Sequence, residues 1–206
     1  MKIKLSPDRV FISSDFHAFH KNICTGTTQW TSGSMRDFPN EVLMTEKLAE
    51  NINSKIGPDD ILIHLGDWSF GGKDKVKIFR DMLNCKYIIG QKGNHDYNIL
   101  KDKDLQDLFW KWYGDFDVEP IVQYVIGGKT YLCSHYSMNI WENSHHGWRH
   151  LFGHSHGTLP DNQNSLSFDV GVDCHNLFPL SFVEIEERMS KKTYMPVDHH
   201  KPENKS

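Results

Sequence analysis

Three short apolar runs, each ending abruptly in polar residues, are the feature that most constrains the fold of this chain. They read "RVFIS", "DILIHLGD" and "KYIIG" and occupy residues 9–13, 60–67 and 86–90. Short apolar runs rich in β-branched residues predict buried strands. The segments between them repeat apolar residues at helical spacing. A strand–helix–strand–helix–strand order implies a parallel sheet joined by crossover helices.

Helices are predicted within residues 39–57, 73–83 and 98–113. The apolar positions of the first helix follow the spacing of one helix face: Val42, Leu48 or Ala49, Ile52 and Ile56. Gly57 and Pro58 supply its stop signal. The second helix places Val76, Phe79 and Leu83 on one face. These two helices are the predicted crossovers.

The pattern changes after Pro120. Residues 121–135 predict a hairpin around Gly127 and Gly128, and "RHLFGHSH", "LSFDVGV" and "LSFVEIEE" predict further short strands. The second half therefore forms a mainly antiparallel or mixed sheet. We predict an α/β fold, a four-layer-like α-β-β-α sandwich in which two mixed sheets pack face to face and are flanked by helices. The domain is expected to span residues 1–188, followed by a polar C-terminal tail at 189–206.

Composition narrows the functional class. Hydrophobic residues make up 38% of the chain and charged residues 24%, which is typical of a soluble globular protein. The net charge of -4 gives no general attraction to nucleic acids or to membranes. No apolar run approaches the roughly 20 residues of a membrane span, and the N-terminus lacks the apolar core of a signal peptide. We expect a cytoplasmic protein with no membrane partner.

Five of the predicted strands end in side chains that can bind a metal ion. The motifs are Asp15-x-His17, Gly66-Asp67, Gly93-Asn94-His95-Asp96, Ser134-His135 and Gly153-His154-x-His156. Ligands bind at the carboxyl ends of strands in open α/β sheets. Residues i and i+2 of a strand share a face, so Asp15 and His17 are expected to reach one ion. By the same argument His154 and His156 would serve adjacent ions.

The types of side chain indicate the kind of metal. Carboxylate, amide and imidazole groups without thiolate suit Mn²⁺, Fe²⁺ or Zn²⁺. The four cysteines are widely spaced and form no C-x-x-C pair, which argues against a zinc ribbon. Two divalent ions would outweigh the charges of Asp15 and Asp67 and leave a positive site that attracts phosphate. The sequence thus predicts a two-metal hydrolase of phosphoesters.

The ordered set "DFH…GD…GNHD…SH…GHSH", over residues 15–156, resembles the calcineurin-like metallophosphoesterase family. The flanking "HKNI", "PDDILIHLGDWSFG" and "FDVGVD" look most like the small phosphoesterases of bacteria and their phages. The resemblance implies two divalent metal ions, with Mn²⁺ preferred and Fe²⁺ or Zn²⁺ as alternatives. The implied ligands are Asp15, His17 and His156 for the first ion, Asn94, His135 and His154 for the second, and Asp67 as the bridge.

The resemblance also implies the catalytic groups. His95 would contact the phosphate and either stabilise its developing charge or protonate the leaving oxygen, with Asp96 orienting the His95 ring. A metal-bridging hydroxide would attack phosphorus in line. Around this set, His20, Arg36 and Arg149 are candidates for substrate contact. His64, on the strand "ILIHL", is predicted to be a hydrogen-bonded core residue.

The expected substrates are phosphodiesters or small phosphomonoesters. A protein phosphatase is disfavoured because Ala18 and Asp96 replace the Gly and Glu typical of those enzymes. A nuclease would need a basic groove. The net charge does not indicate one, but it leaves open a local patch of basic residues. A catalytically silent binding or scaffold protein on the same fold is the other alternative. The complete ligand set and the presence of His95 favour the enzyme.

Overall fold

The computed structural model describes residues 2–27, 36–195 and 197. Its strands are β1 (Lys2–Leu5), β2 (Val10–Ser13), β3 (Ile61–His64), β4 (Tyr87–Gln91), β5 (Lys111–Tyr113), β6 (Val122–Ile126), β7 (Lys129–Cys133), β8 (Arg149–Phe152), β9 (Ser167–Asp169) and β10 (Leu180–Ser181). Its α-helices are α1 (Glu41–Lys55), α2 (Lys73–Asp81), α3 (Tyr97–Leu100), α4 (Lys103–Gln106) and α5 (Phe182–Ser190).

The first sheet has the strand order β10-β2-β3-β4-β5. Strands β2 to β5 are parallel, and β10 is antiparallel to β2. Val10 pairs with Ile61, which in turn pairs with Tyr87, so the three strands predicted from the apolar runs lie side by side in register. Their carboxyl ends consequently meet at one edge of the sheet.

The second sheet has the order β1-β6-β7-β8-β9. Strands β6 and β7 form the antiparallel hairpin predicted around Gly127 and Gly128, whereas β7, β8 and β9 are parallel. A bridge between Ser14 and Gly171 joins the ends of the two sheets. The polar motifs that follow β7 and β8 therefore face those of the first sheet.

Two apolar cores hold these layers together. Side chains from both sheets, including Ile12, Ile63, Tyr124 and Tyr131, are fully buried against one another. A second core packs α1 to α4 on the first sheet, and its members include Leu48, Ile52, Leu62, Trp68, Phe79 and Ile88. Burial of each such side chain contributes about 1.5–3 kcal/mol. The predicted α/β fold of two mixed sheets with flanking helices is confirmed.

Two predicted elements differ from the structure. The helix expected over 98–113 is instead two one-turn helices, α3 and α4, followed by strand β5. Asp102 interrupts the helical pattern because its side chain caps α4 by accepting a hydrogen bond from the backbone N–H of Asp104. Residues 111–113 then pair with β4 at the sheet edge, so tertiary pairing overrides their helical spacing.

The segment "LSFVEIEE" is a two-residue strand followed by helix α5, not a longer strand. Ser181 starts the helix through a capping box with Glu184, a signature that the sequence carries as S-x-x-E. In α1, Val42 is 44% exposed and Met44 takes its place in the buried stripe. Asn40 caps that helix, so Val42 lies in its solvent-facing first turn.

The C-terminal residues continue to pack on the domain beyond residue 188. Helix α5 ends at Ser190, and the backbone N–H groups of Thr193 and Met195 donate to the carbonyls of Gln163 and Asn164. The boundary at 188 stays a prediction, and positions 196 and 198–206 of the predicted tail lie outside the described residues. Among the described residues, no helix has both the length and the apolarity needed to cross a bilayer.

Candidate metal centre

Loops after five strands bring the predicted metal ligands together. Asp15 and His17 follow β2, Asp67 follows β3, Asn94 follows β4, His135 follows β7, and His154 and His156 follow β8. Two of these loops are joined by backbone hydrogen bonds, from Asp15 N–H to Gly66 O at 3.0 Å and from His17 N–H to Asp67 O at 3.0 Å. The parallel arrangement of the strands thus places all seven side chains at one end of the sandwich.

Glycines allow the loops to approach one another closely. A Cβ on Gly93 would lie 2.3 Å from Oδ1 of Asp67, and one on Gly153 would lie 2.4 Å from Oδ2 of Asp15. The φ of Gly93 is not positive, so its role is to make room for the Asp67 carboxylate. Any side chain at either position would displace a predicted ligand.

The backbone at the ligands is strained. Five of them have φ in the left-handed region: Asp15 (58°), His17 (48°), Asp67 (62°), His154 (66°) and His156 (48°). This conformation costs a residue other than glycine about 1–2 kcal/mol, and such strain concentrates at functional sites. The expectation that each Asp-x-His or His-x-His pair converges because it lies on a strand is therefore wrong. The pairs lie in loops, and left-handed turns aim their side chains inward.

The first group of donor atoms comes from Asp15, His17 and His156, the three ligands predicted for one ion. Nε2 of His17 lies 3.2 Å from Nε2 of His156 and 3.8 Å from Oδ1 of Asp15. All three donor atoms fall within 4.8 Å of one another. This spacing lets a single ion reach all of them.

The second group is built around His135. Its Nε2 lies 2.9 Å from Oδ1 of Asn94, and Nδ1 of His154 lies 3.0 Å from the same oxygen. Oδ2 of Asp67 is 3.5 Å from His135 Nε2 and 3.4 Å from His17 Nε2, so it lies between the groups. Asp15 also contributes to a close set with Asp67 and His135. Both carboxylates can therefore serve two ions, whereas the sequence singled out Asp67, whose bridging role stays a prediction.

Hydrogen bonds at the Nδ1 atoms of two histidine rings indicate that the centre binds positive charge. Nδ1 of His135 lies 3.0 Å from Leu65 O, and Nδ1 of His156 lies 2.7 Å from Oδ2 of Asp173. We assign the Nδ1 proton to these bonds, which leaves each Nε2 facing other acceptor atoms. A positive charge between them would satisfy these atoms. Several such atoms converge, so a divalent cation fits better than separate protons, and the N and O donors suit Mn²⁺, Fe²⁺ or Zn²⁺.

The electrostatics lead to the same requirement. Burial raises the pKa of Asp15 to about 6 and lowers the pKa of His17 well below its usual value. Burial also lowers the pKa of His135, but the hydrogen bond and charge of Asp67 outweigh it and raise that pKa to about 9. Bound cations would stabilise the carboxylates as anions and the imidazoles as neutral ligands.

His95 lies at the open side of the donor groups and is exposed. Its backbone N–H donates to Oδ1 of Asp67 at 2.8 Å, and its ring centroid is 5.5 Å from that of His17. His20 is near as well, because its ring stacks on Phe70 at 3.5 Å and lies 6.5 Å from the ring of His95. Both rings therefore lie beside the donor groups, and their roles in substrate contact stay predictions.

The predicted role of Asp96 is wrong. Its Oδ2 accepts hydrogen bonds from the backbone N–H groups of Asp67 and Gly93, each at 2.8 Å, and its Oδ1 accepts one from Trp68 at 2.9 Å. The carboxylate therefore clamps the loops after β3 and β4 and does not orient the ring of His95. It acts on the site by fixing Asp67.

The two arginine candidates do not face the site opening. Arg36 is buried, and its guanidinium donates to the carbonyls of Asp15 and Phe16 at 2.7 and 2.8 Å and pairs with Asp173 at 2.8 Å. Arg149 lies at the start of β8, at the other end of the strand from His154, where it pairs with Glu186 at 3.3 Å. The structure thus corrects the expectation of substrate contact for both, and Arg36 instead braces the loop after β2.

Sequence reasoning missed Asp173, which bonds both His156 and Arg36. The available signal was "FDVGVD", in which Asp169 also fixes the loop after β8 by accepting a hydrogen bond from Gly157 N–H at 3.2 Å. His64 is a fully buried core residue packed against Phe16, as expected. Its predicted hydrogen bond is absent, since neither ring nitrogen has a partner within the described part of the chain.

Comparison with known proteins places this geometry in a family. The chain is similar to a protein of unknown function from Aquifex aeolicus, with 22% identity and a TM-score of 0.58 over 86% of this chain and 97% of that one, which shows the shared fold. The Pseudomonas putida nuclease MPE gives 17% identity and a TM-score of 0.39 over 72% of this chain and 61% of that one. No curated protein matches. The family model of calcineurin-like phosphoesterases matches residues 9–179, and the chain belongs to that family.

Proposed function

We propose that the protein hydrolyses phosphoesters at a dinuclear metal centre and acts on phosphodiesters or small phosphomonoesters. The observation that carries the proposal is the pair of donor groups around His17 and His135, each of which directs several acceptor atoms at one point. Asp15 and Asp67 lie between the groups and are buried, so they can hold two ions near each other. Mn²⁺ is the preferred ion, and a cytoplasmic location stays part of the proposal.

Two divalent ions would supply the charge that binds a phosphate and lowers the pKa of an attacking water. The protein does the remaining work. Asp96 and Arg36 hold the loops that carry Asp67 and Asp15. The exposed ring of His95 contacts the phosphate and either donates a hydrogen bond or transfers a proton to the leaving oxygen. Water attacks phosphorus in line from the opposite side.

An open site favours small diesters. Asn94, His95 and His154 are all exposed, so the phosphate position is reached directly from solvent. We expect diesters to be cleaved faster than monoesters, because a second ester group adds contacts to the walls of the site without adding charge. A nuclease is an alternative activity, and the described basic residues beside the centre give no specific support for it.

The test is hydrolysis of bis-p-nitrophenyl phosphate and p-nitrophenyl phosphate by metal-stripped protein, before and after addition of Mn²⁺. Manganese-dependent cleavage with the diester preferred supports the proposal. If the monoester is cleaved as fast as the diester or faster at saturating metal, the expected preference for diesters is wrong. If metal is bound, as shown by elemental analysis, and neither ester is cleaved, the protein either has a narrow substrate or is the silent binding or scaffold protein of the alternative.

A further inference from the structure

A cavity of about 620 Å³ opens beside His156 and is here called the His156 cleft. It extends from His156 and Asp173, at the metal centre, to Asp161 and Arg188 on the far side. Its volume lies in the range of pockets that enclose a small organic molecule. Because it begins at a predicted metal ligand, a group esterified to a phosphate at the metals can enter it directly.

The charged groups that line the His156 cleft are already engaged. Asp173 binds His156 and Arg36, and Asp169 accepts hydrogen bonds from backbone N–H groups of the neighbouring loops. Asp161 pairs with Lys192 at 2.5 Å and with Arg188 at 3.3 Å. A second phosphate in the cleft would therefore meet three carboxylates and one guanidinium that is already paired.

Neutral polar groups in the same cleft remain available. Ser137 and Asn139 are exposed and have no side-chain hydrogen bond among the described residues. Asn162 uses its Oδ1 to accept from Asn164 N–H, which leaves its amide NH₂ to donate. Apolar walls come from Phe152, Met138 and Leu159. The lining thus offers hydrogen bonds and apolar contact without a free charge.

The other side of the metal centre has a different character. A smaller cavity of about 380 Å³ is lined by His20 and Phe70 together with Lys21, Lys75 and Glu41. Lys75 lies over the ring of Phe19 at 4.2 Å and forms no ion pair among the described residues. An anionic group is therefore better accommodated there than in the His156 cleft. The two cavities beside the metal centre therefore differ in the charge of the group that each can bind.

We propose that the His156 cleft binds an uncharged, hydrogen-bonding organic group of nucleoside size that is esterified to the phosphate. This inference rests on the proposed function. A nucleoside and a sugar share the required chemistry, with hydroxyl or amide groups for Asn139 and Asn162 and an apolar face for Phe152. The same cleft discriminates against esters that carry a further phosphate on this group.

Steady-state kinetics of four chromogenic diesters test the proposal with Mn²⁺-loaded protein. They are bis-p-nitrophenyl phosphate, the p-nitrophenyl phosphodiesters of thymidine and of glucose, and the thymidine diester with a phosphate on its second hydroxyl. We expect KM for the thymidine or glucose diester to be about fivefold to tenfold below that of bis-p-nitrophenyl phosphate, as one or two net hydrogen bonds provide. The extra phosphate should remove that advantage. The lower of the two KM values, for the thymidine or for the glucose diester, shows whether the cleft prefers a nucleoside or a sugar.

Variants locate the effect in the cleft. Asn139→Ala and Asn162→Ala should each raise KM for the preferred diester about fivefold, which corresponds to one lost hydrogen bond, and leave kcat/KM for bis-p-nitrophenyl phosphate within about twofold. Lys75→Ala, in the other cavity, is the matched control and should not change the discrimination. Equal KM values for all diesters, or indifference to both asparagine variants, would overturn the proposal while leaving phosphoester hydrolysis intact.

A binding measurement decides the question even if no ester is cleaved. The side-chain amide signals of Asn139 and Asn162 should shift in NMR spectra when thymidine or glucose is added to the Mg²⁺-loaded protein. Thymidine bisphosphate should shift them less at equal concentration. Unchanged amide signals with both neutral probes contradict the assignment of the cleft, whatever the outcome of the hydrolysis assay.

Discussion

His156 donates a hydrogen bond from Nδ1 to Oδ2 of Asp173 across 2.7 Å. The same carboxylate pairs with Arg36, whose guanidinium also binds the backbone carbonyl of Asp15. Burial alone would raise the pKa of Asp173, but the charge of Arg36 holds that pKa well below its usual range. An ionised carboxylate thus fixes the ring of one predicted ligand and is tied to the loop that carries another.

Asp173→Asn should therefore weaken metal binding. A carboxylate behind a ligating histidine fixes its tautomer and raises its basicity, and loss of such a contact typically costs 10- to 100-fold in metal affinity. We expect about that loss for one of two bound ions, measured by competition titration with a chelator. Asp59→Asn, at an exposed ion pair with Lys86, is the control and should bind as wild type. Unchanged affinity for both ions would show that Asp173 has no part in metal binding.

Asp67→Asn should impair both ions together. Oδ2 of Asp67 lies 3.4 Å from His17 and 3.5 Å from His135, one member of each donor group. The loss should exceed the roughly 10- to 100-fold effect of an outer contact, because a ligand itself is neutralised. Metal content after dialysis is the measurement, with His154→Ala as the comparison that removes a donor from one group only. Retention of one ion at full affinity in Asp67→Asn contradicts a bridging role.

His95→Ala should separate catalysis from metal binding. The substitution keeps the backbone N–H of residue 95 that donates to Asp67, and it removes an exposed ring that lies outside both donor groups. Turnover should fall about 10²- to 10⁴-fold, as removal of a general acid or phosphate contact does, while metal content stays at the wild-type value. Tyr97→Ala, an exposed neighbour, serves as control. If metal is lost in parallel with activity, His95 is a ligand and the assignment of roles is wrong.

The strands and the candidate site could be predicted from the sequence because both leave local signals. Apolar runs at β2, β3 and β4 end in the motifs of Asp15, Asp67 and Asn94, and parallel pairing brings those ends together without further information. The side chains around the site were harder to assign. Arg36 lies 137 residues from Asp173 in sequence, and only the folded chain places the two in contact.

Local patterns failed where a nearby contact competes with them. Residues 111–113 have helical neighbours but pair with β4, and Asp96 follows His95 directly yet points its carboxylate at three backbone N–H groups. Adjacency in sequence thus suggested a contact that the backbone conformation excludes. The left-handed turns at Asp15 and His17 could not be predicted either, since neither residue type demands positive φ.

Asp96→Asn should destabilise the fold as well as the site. An amide can place only one oxygen among the three N–H donors that the carboxylate satisfies, so at least one buried donor loses its partner. We expect a loss of about 1–3 kcal/mol in the free energy of unfolding, measured by urea denaturation of metal-free protein. Asp104→Asn, at an exposed position in α4, is the control. Wild-type stability combined with reduced turnover would restore the original hypothesis that Asp96 orients His95.

His150 should make stability depend on pH independently of the metal site. The ring is buried on β8, with Nδ1 donating to Leu132 O at 3.0 Å and Nε2 accepting from Met138 N–H at 3.1 Å, so the neutral form is fully bonded. Burial lowers its pKa from 6.5 to about 4. The unfolded chain therefore takes up the proton first, and the stability contributed by this residue is complete above pH 6.5 and is lost as the pH falls toward 4.

That loss amounts to at most about 3 kcal/mol. His150→Gln should lack this part of the pH dependence, so the difference in unfolding free energy between wild type and variant should shrink by up to about 3 kcal/mol on going from neutral pH to about pH 4.5. Urea denaturation of the metal-free proteins at the two pH values measures it, and the exposed His146→Gln provides the control. Parallel pH profiles for wild type and His150→Gln would mean that the pKa of His150 is the same in the folded and the unfolded chain, which contradicts the prediction.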